Sequence, residues 1–280
     1  MKKISRRSFL AAAAVSAAAL ALTACGGSAS TASSAAASSV AASSEAASTS
    51  AAAAELTTVE AGKLTMATNA TFPPYEMTTD AGTIEGIDVD TAQAVAEKLG
   101  LELQIDDMDF DAALLSVQQG KADIVMAGVT VTDERKAVMD FSDSYATGIQ
   151  SIIVPNDSDI ASPDDLAGKK IGTQRGTTGY IYCSDDFGDE NVVAYDDGLT
   201  AVQALNNGQV DAVVIDNAPA QEFVAANPGL KVLDTSYAEE DYAIGMAKGS
   251  ALEDAVNKAL EELKADGTLQ AIVDKYINAN

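Results

Sequence analysis

The chain has 280 residues, enough for two domains of ordinary size once unstructured segments are set aside. It has no histidine and two cysteines, which excludes histidine-based catalytic triads and the usual zinc and copper sites, so we expect no metal and no cofactor. A formal net charge of -25 argues against nucleic acid and anionic lipid as partners, because phosphate binding needs a basic surface.

The amino terminus has the pattern of an export signal. Lysines and arginines precede an apolar run at residues 9–24, which is short for a bilayer span and typical of a signal-peptide core. The run ends in LTAC, which resembles the lipobox of bacterial lipoproteins, whose cysteine is diacylated. The segment SRRSFL also resembles a twin-arginine signal, which leaves the choice of export route open. We predict a signal peptide at residues 1–24 and a lipid on Cys25 that anchors the exported protein to the outer face of the cytoplasmic membrane.

A flexible linker is predicted after the anchor. Residues 26–55 are almost entirely Ala, Ser and Thr, with no aromatic residue, so they cannot bury a core. A helix over the Ala runs is the alternative, but the interspersed Ser and Thr disfavour it. We therefore assign residues 25–58 to the lipidated cysteine and its tether. No later apolar run is long enough to span a membrane, which argues against a receptor with its own transmembrane helix.

The folded part begins with a strand and a loop. The segment GKLTMAT at residues 62–68 predicts the strand, and NATFPPYE at residues 69–76 predicts the loop. Paired prolines stop a helix there and leave Phe72 near the carboxyl end of the strand. An aromatic at such a place is more often part of the core than a ligand contact, so this residue needs a further signal.

Helices and strands then alternate. Residues 86–100 carry Val and Ala at helical spacing and end in glycine, residues 101–105 alternate as a strand, and a helix opens at Phe110. The run DIVMA at residues 123–127 is typical of a fully buried strand in a parallel sheet. This alternation of strands and helices predicts a parallel sheet with helices on both faces.

Residues 127–143, AGVTVTDERKAVMDFSD, follow that strand. Thr132 as N-cap and two acids behind it predict a short helix that carries Arg135. In open α/β sheets ligands bind outside the carboxyl ends of the strands, where this segment would lie. Arg135 then has two interpretations. In the first interpretation Arg135 forms a surface salt bridge with a nearby aspartate. In the second it binds a ligand carboxylate, with Thr130 and backbone N–H groups as further donors.

The same run resembles the signature of the amino-acid-binding subfamily (family 3) of bacterial extracellular solute-binding proteins, which serve ABC importers. The resemblance extends, with gaps, over roughly residues 64–276. It implies the type II periplasmic-binding-protein fold, an α/β architecture of two Rossmann-like lobes with mostly parallel sheets and two hinge crossings, closing on a free amino acid. We expect residues 59–146 and 243–280 in lobe 1 and residues 147–242 in lobe 2.

The resemblance also implies a set of ligand-binding positions in the first lobe. In the family the first binding loop has an aromatic that stacks on the ligand and a neighbour that meets its side chain, which correspond to Phe72 and Asn69. The MDF segment implies a second aromatic wall at Phe110. The candidate residues of this lobe are Asn69, Phe72, Phe110, Ala127, Gly128, Thr130 and Arg135.

The second lobe is predicted to open after an extended crossing at residues 145–155. A compact helix at residues 162–168 has Ser as cap and Pro at its first position. A strand at residues 169–173 then leads to QRGTTG, where two hydroxyls and two glycines at a helix start make an anion site. Such a turn is weak evidence alone. The resemblance implies that Thr177 and Thr178 hold the ligand carboxylate from this side, with Gln174 beside them.

The buried strand VDAVVID ends in Asp216. A carboxylate there is costly to bury without a partner, so it either caps the helix at Pro219 or meets a cation, and its chemistry leaves both open. The resemblance of DAVVID to the family implies that Asp216 receives the ligand's ammonium. The remaining predicted elements are a strand at residues 230–233, a return crossing at residues 239–246, and helices from Ser250 and Thr268.

Three uncharged pocket positions bear on specificity. Basic-amino-acid members of the family often have Asp at the position of Asn69, and the glutamine binder has a basic or imidazole group at the positions of Gln174 and Ile215. We therefore expect a neutral, polar amino acid. Arg175 would shift that preference to an acidic side chain if it pointed inward.

Two other functions share this fold. A cyclohexadienyl dehydratase needs a proton donor in the cleft, which the matched positions do not supply. A sensory ligand-binding module would differ only in its partner. We expect a monomeric, non-catalytic lipoprotein that delivers its ligand to an ABC transporter permease.

Overall fold

The computed structural model describes residues 56–277. The predicted signal peptide, Cys25 and most of the predicted linker lie outside these residues. In this part of the chain the strands are β1 (Lys63–Thr68), β2 (Thr71–Phe72), β3 (Glu76–Thr78), β4 (Ile84–Glu85), β5 (Glu102–Asp107), β6 (Ile124–Val125), β7 (Met139–Phe141), β8 (Ala146–Pro155), β9 (Ile171–Gln174), β10 (Val192–Tyr195), β11 (Ala212–Asp216), β12 (Leu230–Val232), β13 (Ala238–Tyr242) and β14 (Gly245–Ala247). The helices are α1 (Ile87–Leu99), α2 (Phe110–Gln118), α3 (Asp133–Lys136), α4 (Thr178–Phe187), α5 (Gly198–Asn206), α6 (Asn217–Ala225), α7 (Glu253–Ala265) and α8 (Thr268–Tyr276), with single 3-10 turns at Pro163–Leu166 and Asp189–Asn191.

The first lobe is built on a five-stranded sheet with the order β5-β1-β6-β14-β7. β1 pairs in parallel with β5 and β6, as the strand and helix rhythm predicts. β14 pairs antiparallel with β6 and β7, because it enters the sheet after the chain returns from the second lobe. Leu64, Met66 and Ile124 of these strands are fully buried and form part of the core.

The second lobe is built on a sheet with the order β10-β9-β11-β8-β12, and β13 pairs with β8. β9 is parallel to β10 and β11, whereas β8 is antiparallel to β11, β12 and β13. The α/β class and the two lobes are as predicted. Each sheet is mixed, with most strands running in one direction as predicted and one strand opposed, β14 in the first and β8 in the second, because these two strands join directly from the crossings and not through a helix.

The two crossings pair with each other. β8 and β13 form an antiparallel ribbon whose register runs from Ala146 opposite Tyr242 to Gln150 opposite Ala238. The ribbon also bonds to a loop of the first lobe, where the backbone N–H of Val131 donates to the carbonyl of Asp241 at 3.0 Å. Side chains on this ribbon can therefore contact both lobes.

Local sequence signals position the elements around the cleft. The Thr132 hydroxyl accepts from the backbone N–H of Arg135 at 3.2 Å, which confirms the predicted cap of α3. Gly100 has a left-handed conformation, with φ 71°, and ends α1 as predicted. The segment after Ser162 has the predicted cap and Pro at its first position, but it is a 3-10 turn.

A small sheet of three strands, β2-β3-β4, occupies the segment predicted as the first binding loop and its continuation. Its strands have two or three residues each, too few for the alternation of side chains to be visible in sequence.

Within residues 56–277, none of the helices combines the length and hydropathy that crossing a membrane requires.

Candidate functional site

One cavity collects residues that follow the carboxyl ends of strands in both lobes, where open α/β sheets bind ligands. The eleven positions singled out from the sequence all line it. They are Asn69, Phe72, Phe110, Ala127, Gly128, Thr130 and Arg135 on the side of the first lobe, and Gln174, Thr177, Thr178 and Asp216 on the side of the second. Their roles in ligand binding stay predictions.

Arg135 is buried against this cavity. Its Nη1 donates to the carbonyl of Thr130 at 2.8 Å and its Nη2 to the carbonyl of Gly176 at 3.2 Å, and its Cζ lies 5.4 Å from the ring centroid of Phe110. The ion pairs found within residues 56–277 do not include Arg135, so the surface salt bridge is not formed. A guanidinium has five N–H groups, so donors remain for a ligand carboxylate.

Two acids influence the charge of Arg135. Burial lowers the pKa of Arg135, and the negative charges of Glu240 and, to a smaller extent, Asp111 oppose that shift. Neither acid is within ion-pair distance, so the guanidinium has no direct carboxylate partner within the described residues. A buried guanidinium without such a partner favours an incoming anion.

Asp216 is the buried carboxylate of the second lobe. Its Oδ1 accepts from the backbone N–H of Ala218 at 3.0 Å and caps α6, while its Oδ2 accepts from the backbone N–H of Ile149 at 2.7 Å. Burial raises the pKa of Asp216 to about 6. Each carboxylate oxygen can accept more than one hydrogen bond, so the cap leaves capacity for an ammonium group in the cavity.

The cleft is closed by contacts that pass from one lobe to the other. Besides the bond that Arg135 makes to the second lobe, Gln174 donates through Nε2 to Oδ1 of Asn69 at 2.9 Å. The hydroxyl oxygens of Thr130 and Thr178 lie 3.4 Å apart. The predicted ligand-binding residues therefore hold the lobes together directly.

The start of α4 is arranged as the sequence predicts. Thr177 is its N-cap, and the hydroxyl accepts from the backbone N–H of Tyr180 at 3.3 Å and donates to the carbonyl of Gln174 at 2.8 Å. Thr178 is the first helical residue and is buried at the cavity. The positive end of the helix dipole and these hydroxyls make this edge suitable for a carboxylate.

Arg175 does not line the cavity. Its side chain is 56% exposed, and Nη2 lies 3.3 Å from Oδ1 of Asp196 in an ion pair at the surface. The reversal of specificity toward an acidic side chain, which depended on Arg175 pointing inward, has no support from this geometry.

Phe72 and Phe110 both line the cavity, as expected for two aromatic walls. Phe72 also stacks on Tyr75, with ring centroids 5.7 Å apart. A Cβ on Gly128 would lie 2.8 Å from the Phe72 ring, and the φ of +55° at this glycine is rare for other residues. The loop can therefore approach the aromatic wall only with glycine at this position.

Three lining residues were not identified as candidates from the sequence. These are Glu76, Gln150 and Tyr242. Glu76 ends the NATFPPYE segment in which Phe72 was singled out, and Gln150 is a polar residue within the apolar strand β8. A polar side chain inside an apolar strand was the available signal for Gln150, whereas Tyr242 depends on the pairing of the two crossings.

Glu76 is a fully buried acid, and no N–H or O–H group within the described residues donates to either carboxylate oxygen. Burial raises the pKa of Glu76 well above its usual value, and the negative charge of Asp88 and a side-chain hydrogen bond that protonated Glu76 donates to Asp88 add to the shift. The protonated form of Glu76 is therefore favoured. Asp88 accepts from the backbone N–H of Gly128 at 2.9 Å and from the hydroxyl of Tyr145 at 2.7 Å. Burial raises the pKa of Asp88 to about 6, against these hydrogen bonds.

Comparisons with known proteins agree with this geometry. Residues 64–279 match the family described as Bacterial extracellular solute-binding proteins, family 3. The chain is 34% identical over 225 residues to the L-cystine-binding protein TcyJ of Escherichia coli, which covers 79% of this chain and 85% of that protein.

Solved structures of similar proteins share the fold. The arginine-, lysine-, histidine-binding protein ArtJ from Geobacillus stearothermophilus superposes with a TM-score of 0.75 at 35% identity, over 78% of this chain and 96% of that one. An ancestral arginine-binding protein was solved bound to arginine, with a TM-score of 0.74 and 42% identity over 78% of this chain and 99% of that one. An ancestral arginine-binding protein was also solved bound to glutamine, with a TM-score of 0.74 and 42% identity over 77% of this chain and 98% of that one.

These neighbours are type II periplasmic binding proteins, and the two mixed α/β lobes described above have that fold. The family match covers most of the chain and includes both sheets and the whole cavity. The chain therefore belongs to family 3 of the bacterial extracellular solute-binding proteins.

Proposed function

We propose that this protein captures a free amino acid between its lobes and delivers it to the permease of an ABC transporter. The observation that carries the proposal is the presence of one buried guanidinium, Arg135, and one buried carboxylate, Asp216, at the same cavity and from opposite lobes. A zwitterion carries the complementary charges. Related proteins named as binders of cystine and arginine support the same ligand class.

The number of polar contacts is sufficient for useful affinity. A hydrogen bond to a charged group contributes about 1.5 to 3 kcal/mol, and a micromolar Kd corresponds to about 8 kcal/mol. Four or five such bonds to the ligand's two charged ends exceed this value and leave free energy for closing the lobes. The site needs no catalytic group for this task.

We assign the two lobes to residues 59–146 with 243–280 and to residues 147–242. The ribbon of β8 and β13 supports this division, because both crossings lie in it side by side. A ribbon of two paired strands is suited to bending as a hinge between rigid lobes.

The side chain of the ligand is neutral and polar in our first proposal. Asn69 and Gln174 are uncharged amides at the cavity, and Ile215 is apolar. A specific observation favours a second candidate, a cationic side chain, because Glu76 is a buried acid at the same cavity without a hydrogen-bond donor. A protonated Glu76 can donate to a neutral group, and an ionised Glu76 can pair with a cation.

A thermal-shift screen with the twenty amino acids tests these proposals. A ligand that binds the native state raises Tm, because at a ligand concentration of a hundred times Kd it adds about 2.7 kcal/mol to the free energy of unfolding. A rise for glutamine, asparagine, serine or threonine supports the neutral class, and a rise for arginine or lysine supports the cationic one. The absence of any shift would contradict amino-acid capture.

We also propose that the mature protein is a monomeric lipoprotein anchored through Cys25. The support is the LTAC segment after the apolar run at residues 9–24. Metabolic labelling with a radioactive fatty acid should mark the wild-type protein and not Cys25→Ser. Equal labelling of both would contradict the anchor.

The enzyme alternative is tested by incubation with prephenate or arogenate. We expect no product, since the relatives named above are binding proteins, and the incubation tests whether Glu76, a buried acid at the cavity, acts as a proton donor. Product formation at a rate above that of a heat-denatured sample would show that the protein is catalytic.

A further inference from the structure

Glu240 is a buried acid at the centre of the second crossing. It lies opposite Gly148 in the ribbon of β8 and β13, and its neighbour Glu239 points to solvent because side chains alternate along a strand. Glu240 is 6% exposed, whereas Glu239 is classed among exposed residues. The two adjacent glutamates therefore have opposite environments, which the run of acids in the sequence does not distinguish.

One carboxylate oxygen of Glu240 joins the first lobe to the first crossing. Oε2 accepts from the hydroxyl of Thr130 at 3.0 Å and from Nε2 of Gln150 at 2.9 Å. Both donors line the cavity. The other oxygen, Oε1, is buried and has no hydrogen-bond partner within the described residues.

This arrangement fixes the direction of the Thr130 hydroxyl. A carboxylate has only acceptor sites, and a threonine hydroxyl has a single proton. A proton on Oε2 would face two donors, and a proton on Oε1 would have no acceptor in reach. Thr130 therefore donates to Glu240. In its 3.4 Å contact with Thr178, Thr130 is then the acceptor and Thr178 the donor.

The consequence concerns which end of the ligand Thr130 can meet. From the sequence, Thr130 is expected among the donors to the ligand carboxylate. A hydroxyl whose proton is held by Glu240 presents lone pairs to the cavity, as Asp216 does. Lone pairs repel a carboxylate and attract an ammonium group. Arg135 and the start of α4 remain as the donors for the carboxylate.

We propose that Glu240 is a positioning residue for ligand capture, which holds the Thr130 proton so that the Thr130 oxygen accepts from the ligand's ammonium. The inference rests on the proposed function and adds a reason for selecting zwitterions. A carboxylic acid without the α-amino group would leave unused the acceptor sites that Thr130 and Asp216 present to the cavity. The cavity therefore discriminates by its acceptors as well as by Arg135.

A simpler role for Glu240 is to fasten the two crossings through Gln150. The two roles predict different results, because only one acts through Thr130. Loss of a fastening bond weakens every ligand to a similar extent. Loss of the proton acceptor weakens the amino acid selectively, since the free Thr130 hydroxyl can turn and donate to a carboxylate.

The experiment measures Kd by calorimetry for the amino acid that raises the Tm of the wild-type protein most, and for the same molecule without its α-amino group. For arginine the analogue is guanidinovalerate, and for glutamine it is glutaramate. The measured quantity is the Kd of the analogue divided by the Kd of the amino acid. We compare wild type with Glu240→Met, which removes the acceptor where a glutamine would keep an amide oxygen for Thr130, and with Glu239→Met as the matched control on the exposed face of the same strand.

We expect Glu240→Met to reduce this ratio about tenfold, the effect of one hydrogen bond to a charged group, chiefly by weakening the amino acid. Glu239→Met should leave both Kd values unchanged. Thr130→Val, which keeps the shape and removes the hydroxyl, should reduce the ratio similarly. Its combination with Glu240→Met should produce no further loss, because both changes remove the same contact.

A second variant separates the two roles. Gln150→Met removes the bond that fastens the two crossings and leaves Glu240 with the Thr130 hydroxyl. We expect the ratio to keep its wild-type value in Gln150→Met. A ratio as low in Gln150→Met as in Glu240→Met, or an equal loss for both compounds in Glu240→Met, would overturn the proposal.

Two further outcomes are distinguishable. If Glu240→Met does not fold, Thr130→Val alone decides, since an unchanged ratio in that variant contradicts an acceptor role for Thr130. If none of the twenty amino acids stabilises the wild-type protein, the proposed function is wrong and the inference falls with it. Tight binding by wild type with an unaltered ratio in Glu240→Met contradicts only the role of Glu240.

Discussion

Gln174 of the second lobe donates a hydrogen bond to Asn69 of the first at 2.9 Å, across the cavity that both residues line. Asn69 is itself held, because its Nδ2 donates to the carbonyl of Met108 at 3.0 Å and its Oδ1 also accepts from Thr71. The two amides thus connect the start of the second lobe's helix to a fixed position in the first. A ligand side chain that reaches this end of the cavity must accommodate or replace that bond.

Gln174→Met should weaken ligand binding by about fivefold, because it keeps the length of the side chain and removes one hydrogen bond between neutral groups, worth about 1 kcal/mol. The closed form should also be less populated, which small-angle scattering of the ligand-free protein measures as a larger radius of gyration. Gln93→Met, at an exposed position of α1, is the control. An unchanged Kd and radius would show that the bond does not contribute to closure.

Arg135→Ala should abolish most binding while the fold survives. The ligand carboxylate would be left buried without its cationic partner, at a cost of roughly 3 to 5 kcal/mol, more than a hundredfold in Kd. Calorimetry measures the loss, and circular dichroism tests the fold. Arg175→Ala removes an exposed guanidinium from the neighbourhood and should change Kd less than about twofold. Wild-type affinity in Arg135→Ala would refute its role.

Asp216→Ala should lose binding and a small part of the stability. The change removes the acceptor for the ammonium and also the cap of α6, which is worth about 1 kcal/mol. Asp197→Ala is the matched control, because Asp197 caps α5 by accepting from the backbone N–H of Thr200 at 2.7 Å. Both variants should unfold at similarly reduced temperatures, but only Asp216→Ala should fail to bind. Equal Kd values in the two would remove Asp216 from the site.

The pKa of Asp216, raised to about 6 by burial, predicts opposite effects of pH on stability and on binding. The unfolded aspartate ionises near pH 4, so between about pH 4 and 6 the native state binds more protons than the unfolded state. Raising the pH through this window should therefore destabilise the ligand-free protein. Ligand affinity should rise in the same window, because the ammonium pairs with the ionised carboxylate.

The measurement is Tm with and without ligand over a pH series. The rise in Tm on adding ligand should be larger at pH 7 than at pH 5. Asp88, whose pKa is also raised to about 6, adds to the destabilisation without ligand, so the comparison with Asp216→Asn isolates the contribution of Asp216. An identical pH dependence of ligand stabilisation in Asp216→Asn would contradict the assignment.

Glu76→Gln should separate the two classes of ligand. The amide keeps the volume and can still bond to a neutral polar group, but it cannot ionise. We expect the affinity for L-arginine to fall by more than tenfold and the affinity for L-glutamine by less than about threefold, since only the cation loses a charge partner. Equal changes for both amino acids would show that Glu76 does not contact the ligand side chain.

Much of this protein was accessible from local sequence. The cap at Thr132, the end of α1 at Gly100 and the parallel core β5-β1-β6 follow from side-chain chemistry and periodicity within a few residues. The resemblance to family 3 placed eleven residues that the fold brings to one cavity. Segments such as AGVTVTDERKAVMDFSD are informative because a strand end, a tight turn and a helix cap must follow one another in a fixed order.

Only the tertiary structure decided the remaining features, because they depend on which distant segments pair. Glu239 and Glu240 are indistinguishable in sequence, and the register of β13 against β8 alone buries the second and exposes the first. The environment of Glu76 also depends on tertiary packing, because the segments around it place no hydrogen-bond donor at its carboxylate oxygens. Local patterns determine how a segment folds, whereas burial and hydrogen-bond partners arise from contacts between segments far apart in the chain.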